Sequence, residues 1–323
     1  MKVVSLVERM LAGDEKPLAR LITMVEREGL EVPLIMRLLQ PHLGRAYTIG
    51  ITGPSGSGKS TLVDRLTSLI RKEGSTVGII AVDPTSPFSG GAVLGDRIRM
   101  QQHYLDEGVF IRSMATRGSA GGLPPTARGV IRLLDAFGKD YILVETAGVG
   151  QTELDVMEMA DTVIVVLTPE TGDAIQTMKA GLLEIADIFV VNKADREGAG
   201  YLLAELMAML RLHPSGPGWQ PPVLAAQAVN DIGIQEVLQA IQDHRRALEE
   251  TGRLGERRKE QRRKEFLQAV ERRLTARLKE ATEKDGELLS YLERVEKGEL
   301  DPYSACQEVL ANGRLLQSWL EEG

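Results

Sequence analysis

The chain has 323 residues, 43% of them hydrophobic, which is enough for one large domain with extensions or for two domains with sizeable cores. Its net charge of −7 argues against a protein that binds a nucleic-acid backbone, because such proteins present a basic face. The one cysteine, Cys306, excludes an internal disulfide and a thiol-rich metal site, which is typical of a reducing compartment.

The first residues do not have the pattern of a targeting segment. The stretch MKVVSLVERMLAG has too short an apolar run, and too many acids nearby, for a signal peptide. It also lacks the Arg- and Ser-rich composition of a transit peptide. The longest buried-strand run, Thr162–Leu167, is far shorter than the roughly 20 residues of a membrane span. We therefore expect a cytoplasmic protein with no membrane partner.

Helices and then alternating strands and helices are predicted along the first 248 residues. Apolar residues recur at helical spacing between Leu18 and Val25, and Val32-Pro33 opens a second helix that runs through Leu39. From residue 47, short β-branched runs alternate with amphipathic helices, which is typical of a mostly parallel sheet covered on both faces. The predicted strands are Tyr47–Thr52, Thr76–Val82, Val109–Met114, Tyr141–Val144, Thr162–Leu167, Ile188–Val191 and Val223–Ala226.

After residue 249 the composition shifts to a heavily charged helix. Leu267, Val270, Leu274 and Leu278 give it a narrow apolar stripe, and further helix follows with a break at Asp301-Pro302. The chain is thus predicted to have three parts: a helical N-terminal extension (1–44), an α/β domain (45–248) and a helical C-terminal extension (249–323).

The strongest motif follows the first predicted strand and opens a helix. Gly53-Pro54-Ser55-Gly56-Ser57-Gly58-Lys59-Ser60 fits the P-loop pattern G-x-x-x-x-G-K-[ST]. Its glycines let backbone N–H groups wrap phosphates at the N-terminus of the helix. We expect Lys59 to reach the β- and γ-phosphates and the Ser60 hydroxyl to bind Mg²⁺, so the α/β domain is predicted to be a P-loop NTPase.

A second motif reads the base. Asn192-Lys193-Ala194-Asp195 follows the strand at 188–191 and matches N-K-x-D. The Asp195 carboxylate can accept from N1–H and the exocyclic amine of guanine, a pair of donors that adenine does not offer. Asn192 steadies the loop and the base, and the Lys193 stem covers the ring. At a strand end downstream of a P-loop, this motif predicts that the nucleotide is GTP rather than ATP.

Three acidic residues are candidates for the metal side of the site. Asp83 and Glu145 end predicted strands, and Asp96 lies in the Gly-rich segment after Asp83. Strand ends of a parallel sheet lie at the same edge as the P-loop, and nucleotide-bound Mg²⁺ takes oxygen ligands and keeps several waters. We expect Asp83 and Glu145 to hold those waters or to orient the water that attacks the γ-phosphate. Most GTP-hydrolysing proteins have D-x-x-G where this chain has Glu145-Thr146-Ala147-Gly148, and the longer glutamate is expected to reach the metal through a water.

Three segments near the same edge are candidate switches. They are the Gly-rich stretches at 89–91 and 118–122 and the stretch 168–179, TPETGDAIQTMK. Such segments order around a γ-phosphate and relax after hydrolysis. Lys179 is a candidate cation for the transition state, although an exposed helical lysine is an equally good interpretation of its position.

Five sequence blocks follow one another along the chain: GPSGSGKST, VDPTSPFSGGAVLGDRIRM, RGSAGGL, VETAGVGQTE and VNKAD. In this order and spacing they closely resemble the MeaB/MMAA-type GTPases, over roughly residues 5 to 310. This family belongs to the signal-recognition/MinD/BioD-like class of P-loop proteins, and its members are sometimes labelled arginine/ornithine transport kinases. In this family a glutamate normally stands at the position of Glu145.

The resemblance implies a GTPase chaperone of an adenosylcobalamin-dependent acyl-CoA mutase, usually methylmalonyl-CoA mutase. In such proteins GTP binding and hydrolysis gate the delivery of the cofactor and the exchange of damaged cofactor. The resemblance also implies a homodimer through the C-terminal helices. Carried over by position, the resemblance makes Lys59, Ser60 and Thr61 ligands of phosphate and Mg²⁺. It makes Asp83, Asp96 and Glu145 acids on the metal side of the site. It also implies that Asn192 and Asp195 recognise guanine and that Lys179 is the mobile lysine of the family.

The sequence departs from the family pattern in two places. The fifth GTPase motif usually carries Ser-Ala, and here it reads Ala226-Gln227-Ala228, so a base contact from Gln227 or Ala228 would rest on a backbone N–H. The P-loop has Pro54-Ser55 where members often have x-Pro-Gly. We expect little consequence there, because the backbone cradles the phosphates.

Three other functions are alternatives to this interpretation. A kinase for an arginine/ornithine transport component fits poorly with guanine specificity. A nickel-inserting GTPase needs a metal-collecting segment, but His42, His103, His213 and His244 are scattered and Cys306 is alone. A non-enzymatic targeting module would differ from the main interpretation mostly in its GTP turnover rate.

Overall fold

The computed structural model describes residues 2–83, 100–116, 123–148, 153–171, 185–212 and 218–315. The chain divides into two compact units, Met1–Arg258 and Lys259–Gly323. Asp96, Lys179 and most of the three candidate switch segments lie outside the described residues.

A parallel sheet of seven strands in the described part of the chain forms the centre of the first unit. Its strands run in the order β3-β2-β4-β1-β5-β6-β7, and every neighbouring pair is parallel. The strands are β1 (Tyr47–Thr52), β2 (Val77–Asp83), β3 (Val109–Ala115), β4 (Tyr141–Glu145), β5 (Thr162–Leu167), β6 (Ile188–Val191) and β7 (Val223–Ala225). All the predicted strands are confirmed to within one residue at each end.

The burial of the strands explains why their sequences do not alternate. Every residue of β1, β2, β4, β5 and β6 is buried, whereas the edge strands β3 and β7 are half-buried along most of their length. Helices cover both faces of the sheet, so an inner strand needs apolar side chains on both sides.

Two layers of helices provide that cover. One face carries α1 (Lys2–Leu11), α2 (Glu15–Glu26), α3 (Val32–Leu39), α5 (Ala127–Ala136) and α6 (Ala199–Leu212). The other face carries α4 (Lys59–Lys72) and α7 (Ile234–Glu250). The two helices predicted near the N-terminus are thus present, with α1 before them, and they pack through buried residues such as Leu18, Leu21 and Ile35.

At the amino ends of β5 and β6, two aspartates bind the beginning of α8 (Arg253–Lys284). Asp161 accepts hydrogen bonds from Arg258 Nε at 2.8 Å and Nη2 at 2.6 Å and from the Thr48 N–H at 2.9 Å. Asp187 accepts from Arg257 Nη1 at 3.1 Å and Nη2 at 3.0 Å. These paired bonds fix the first turns of α8 to the amino edge of the sheet, opposite the P-loop.

The second unit is helical in its described residues. It contains the rest of α8, followed by α9 (Gly286–Glu296) and α10 (Pro302–Ala311). The predicted break at Asp301-Pro302 is the start of α10, where the Asp301 carboxylate accepts from the N–H groups of Tyr303 and Ser304. No helix in the ranges that the structure describes has the length and apolar composition needed to cross a membrane.

Candidate nucleotide-binding site

A deep crevice lies where the P-loop leaves the carboxyl end of β1. The strand order changes direction at β1, which lies between β4 and β5, and open parallel sheets bind ligands at such a point. The cavity there has a volume of about 670 Å³. Its wall brings together these predicted residues: Ser55, Gly56, Gly58, Lys59, Ser60, Thr61, Asp83, Glu145, Asn192, Lys193, Asp195, Gln227 and Ala228.

Three predicted P-loop residues, Gly53, Pro54 and Ser57, are not in the cavity wall but shape the loop behind it. Lys59 is buried, and its Nζ donates to the carbonyl oxygens of Gly53 at 2.8 Å and Pro54 at 3.1 Å. The loop therefore holds the ammonium group near the N-terminus of α4. A phosphate bound there would contact both this positive charge and the free N–H groups of the helix.

Ser60 and Glu145 meet directly. The Ser60 hydroxyl donates to Glu145 Oε1 at 2.6 Å, and both residues are buried. Glu145 is the last residue of β4, and β4 lies beside β1, so the sheet delivers this carboxylate to the first turn of α4. The structure thus puts the unusual glutamate against the P-loop serine itself, a contact that the sequence did not predict.

The turn after Glu145 lies over the P-loop. The Ser55 N–H donates to the Gly148 carbonyl oxygen at 3.1 Å. Gly148 has a φ of +72°, and a Cβ there would lie 2.5 Å from Lys59 Nζ and 3.0 Å from the Ser55 nitrogen. Only glycine fits this approach, because the position requires both a left-handed conformation and open space.

The acidic candidates are oxygen donors at one edge of the cavity. Asp83, the last residue of β2, is buried and lines the cavity with Ser60 and Glu145. In the described ranges no three His, Cys, Asp or Glu side chains form a cluster that could hold a metal by themselves. Such a sparse oxygen set suits Mg²⁺ with a nucleotide, because that ion binds one or two protein groups together with phosphate oxygens and waters.

At the other end of the cavity, Asn192 bridges two loops. Its Nδ2 donates to the Ser57 carbonyl oxygen at 2.8 Å, and its Oδ1 accepts from the Ala228 N–H at 3.0 Å. Gly58 has a φ of +90°, and a Cβ there would overlap Asn192 Nδ2. Asn192 is buried, so it ties the P-loop and the loop after β7 together from below.

Lys193 and Arg196 both pair with one carboxylate, that of Glu170 in the loop after β5. Lys193 has a φ of +55°, and its Nζ lies 3.8 Å from Glu170 Oε2. Arg196 forms an ion pair with the same Glu170. Asp195, which lies between these two residues in the sequence, lines the cavity with them.

Sequence reasoning missed six residues of the cavity wall and one supporting residue. Arg196 directly follows the base-reading motif, and Val229 and Asn230 directly follow Gln227-Ala228, so proximity to a motif is the signal that could have found them. The missed wall residues are Val82, Thr146, Ala147, Arg196, Val229 and Asn230, and the supporting residue is Glu170.

One turn beyond Ser60, α4 carries a buried ion pair. His103 Nε2 lies 3.2 Å from Asp64 Oδ1, and Gln102 Nε2 donates to Asp64 Oδ2 at 2.7 Å. Burial opposes ionisation of Asp64, but the hydrogen bonds from His103 and Gln102 outweigh it and keep the Asp64 pKa below its ordinary value. Burial likewise opposes the charge on His103, but hydrogen bonds to Asp64 raise the His103 pKa above its ordinary value.

Comparison with known proteins agrees with this geometry. The family model described as methylmalonyl Co-A mutase-associated GTPase MeaB matches residues 18–283. A protein of Pyrococcus abyssi that is named as a GTPase is 51% identical over 308 residues, covering 94% of this chain and 95% of that protein. The mouse protein named methylmalonic aciduria type A homolog, mitochondrial, is 33% identical over 270 residues, covering 78% of this chain and 65% of that protein.

A solved structure described as an LAO/AO transport system kinase superposes with a TM-score of 0.71 at 30% identity. The match covers 95% of this chain and 96% of the solved one. The resemblance inferred from the motif blocks is therefore confirmed along nearly the whole chain. The chain belongs to the MeaB family, and it is a P-loop GTPase.

Proposed function

We propose that this GTPase is a chaperone of an adenosylcobalamin-dependent acyl-CoA mutase, most directly methylmalonyl-CoA mutase, and that GTP binding and hydrolysis gate the loading and the repair of the mutase cofactor. The observation that carries the proposal is the match of the mutase-associated family over residues 18–283. The similarity to the mouse methylmalonic aciduria type A homolog supports it further.

In this proposal the carboxyl edge of the sheet binds the phosphates and Mg²⁺. Backbone N–H groups of residues 53–58 cradle the phosphates, and Lys59 and Thr61 bind them from the first turn of α4. Ser60, Asp83 and Glu145 hold the ion or its waters, together with Asp96, which lies outside the described residues. An ion held by these residues would supply positive charge that offsets the negative charge of the phosphates. The buried oxygen donors around Ser60 suit that ion.

Hydrolysis requires that a water be oriented toward the γ-phosphate. Glu145 and Asp83 are the carboxylates at that end of the cavity, and we assign this orienting role to them. In the proposal Lys179, which matches the mobile lysine of that family, supplies positive charge to the transition state.

Guanine is held at the opposite end. Asp195 accepts from the N1–H and 2-amino groups, Lys193 covers the ring, and Asn192 fixes the loop. Gln227 and Ala228 close the cavity beside the base. We further propose that the protein acts in the cytoplasm as a homodimer that assembles through its C-terminal helices.

The test is GTP turnover by the purified protein, alone and with each adenosylcobalamin-dependent acyl-CoA mutase of its host. Stimulation by one mutase is expected, and Lys179→Ala should bind GTP normally yet lose most of that stimulation. Turnover that no mutase changes would remove the chaperone role and leave a GTPase with another client.

The name of the solved relative, an LAO/AO transport system kinase, suggests the rival function. A kinase would leave the γ-phosphate on a protein, whereas a GTPase releases it to water. Turnover with γ-labelled GTP therefore separates the two, and label retained on a transport component in place of free phosphate would favour the kinase.

A further inference from the structure

We infer that Gln227 is a specificity residue of the base site, and that its side-chain amide donates a hydrogen bond to the oxygen at position 6 of guanine. This inference rests on the proposed guanine site. It makes a departure from the family pattern, glutamine in place of serine, into a working part of the site.

The backbone donor of the same loop, the Ala228 N–H, is already engaged within the protein. The Ala228 N–H already donates to Asn192 Oδ1 at 3.0 Å, and both residues are buried. Asn192 is in turn fixed by its bond to the Ser57 carbonyl oxygen at 2.8 Å. A base that took the Ala228 N–H would leave a buried amide oxygen unsatisfied, which is costly.

The backbone of Gln227 is held by hydrogen bonds to its own loop. Its N–H donates to the Ile232 carbonyl oxygen at 2.9 Å, and its own carbonyl oxygen accepts from the N–H groups of Ile232 at 3.3 Å and Asn230 at 2.9 Å. The backbone of Gln227 is therefore fixed on both sides. Ligand binding therefore has only the side-chain torsions of Gln227 left to order, not its backbone.

A hydrogen bond from Asn230 orients the side-chain amide of Gln227. Asn230 Nδ2 donates to Gln227 Oε1 at 3.0 Å, which occupies the acceptor end of the glutamine amide. The donor end, Nε2, takes part in no hydrogen bond within the described part of the chain, and Gln227 and Asp195 both line the cavity. Asn230 thus acts as a positioning residue that leaves a pair of N–H donors for a ligand.

The other side-chain donors near Asp195, those of Lys193 and Arg196, pair with a carboxylate of the protein. The ammonium group of Lys193 and the guanidinium group of Arg196 both face Glu170. An acceptor at Asp195 and a donor at Gln227 match the guanine edge, which presents N1–H and an amine beside an oxygen. Adenine presents an amine at position 6, so it would meet a donor with a donor.

The test isolates the position-6 oxygen with 6-thio-GDP, which keeps N1–H and the 2-amino group but carries a weak acceptor at position 6. The dissociation constants of GDP and 6-thio-GDP are measured for the full-length protein by calorimetry. The wild-type protein should prefer GDP by about threefold to tenfold, the range of one neutral hydrogen bond. In Gln227→Ala the preference should fall to within about twofold of unity, and Asn230→Ala should lower it part of the way.

The matched control is Gln239→Ala, an exposed glutamine on α7 that should keep the wild-type preference. Gln227→Glu, which replaces the donor by an acceptor at the same length, should weaken GDP binding more than Gln227→Ala does. An unchanged preference in Gln227→Ala would overturn the inference. So would a loss of discrimination against IDP in place of 6-thio-GDP, because Gln227 would then be supporting Asp195. Failure of the wild-type protein to prefer GDP over IDP and ADP would instead refute the proposed guanine site itself.

Discussion

Glu145 shows how one methylene group alters a phosphate site. Its carboxylate accepts from the Ser60 hydroxyl at 2.6 Å across the first turn of α4, and both groups are shielded from water. The family glutamate thus has a physical role, because an aspartate at the end of β4 would stop short of Ser60. A charge-assisted bond of this kind is short and holds its partner in one orientation.

We predict that Glu145→Asp lowers GTP turnover by about tenfold to a hundredfold, because a displacement of about 1 Å misaligns the carboxylate relative to the phosphate end of the cavity. The affinity for GDP should stay within about threefold of the wild-type value, since the base and the P-loop are untouched. Phosphate release and GDP titration measure the two quantities. Glu197→Asp, an exposed acid near the base end, is the control, and normal turnover in Glu145→Asp would remove the Ser60 contact from the mechanism.

Asp195 provides the second prediction at the residue scale. Asp195→Ala should weaken GTP binding by about tenfold to a hundredfold and reduce the preference for GTP over ATP, because removal of a polar partner strands the donors of the base. Competition titrations with both nucleotides measure the preference. Glu236→Ala, which changes an exposed acid on α7, should have little effect. Unchanged discrimination in Asp195→Ala would show that another group reads guanine.

At the scale of elements, α4 carries both the phosphate ligands and the buried Asp64–His103 pair. The folded-state pKa of His103 is raised, so its contribution to stability is complete below the unfolded pKa of about 6.5 and is lost as the pH rises through the folded value. The folded-state pKa of Asp64 is lowered, so its contribution is present above about pH 3.9 and is lost as the pH falls through the folded value.

His103→Gln should therefore reduce the free energy of unfolding by about 2 kcal/mol between about pH 4 and 6.5, with a smaller deficit at higher pH. Urea unfolding of both proteins across this range gives the difference directly. His42→Gln, at an exposed histidine, is the control and should change the free energy of unfolding by less than about 0.5 kcal/mol. A deficit that grows with pH would mean that His103 is neutral in the folded protein.

The start of α8 supports a prediction of its own. Arg258 Nη2 donates to Asp161 at 2.6 Å and to the Ala46 carbonyl oxygen at 2.7 Å, and Asp161 is only 3% exposed. Arg258→Ala should cost about 3 kcal/mol in the free energy of unfolding, because it leaves a buried carboxylate without its cation. Arg263→Ala on the same helix should change it by less than about 0.5 kcal/mol, since that arginine is 74% exposed. Equal effects in a denaturant titration would mean that Arg258 does not anchor the helix.

The elements of this protein were easier to predict than the contacts between them. The strands follow from continuous apolar runs, and the residues of the P-loop and of N-K-x-D follow from local spacing. The bond between Ser60 and Glu145 joins positions 85 residues apart, and the pair of Arg258 and Asp161 joins positions 97 apart. Such pairs depend on strand order and on the tilt of helices, neither of which a local pattern encodes.

At the scale of the whole molecule, the second unit exposes apolar side chains along α8. Leu267, Val270, Leu274 and Leu278 recur at helical spacing and are 41–55% exposed. The stripe is flanked by charged residues, as in helices that pair along a narrow seam. Leaving these apolar side chains in water costs free energy, so we assign the proposed homodimer contact to this stripe.

Leu274→Glu should raise the dissociation constant of that dimer by at least about thirtyfold, the size of a 2 kcal/mol hot spot, because it puts a charge into the centre of an apolar seam. Sedimentation at several concentrations measures the constant, and GDP titration checks that the nucleotide site is unchanged. Thr275→Glu adds the same charge one residue along, away from the stripe, and should leave the dimer intact. If the wild-type protein sediments as a monomer throughout, or if both variants dissociate equally, the stripe on α8 is not the dimer surface.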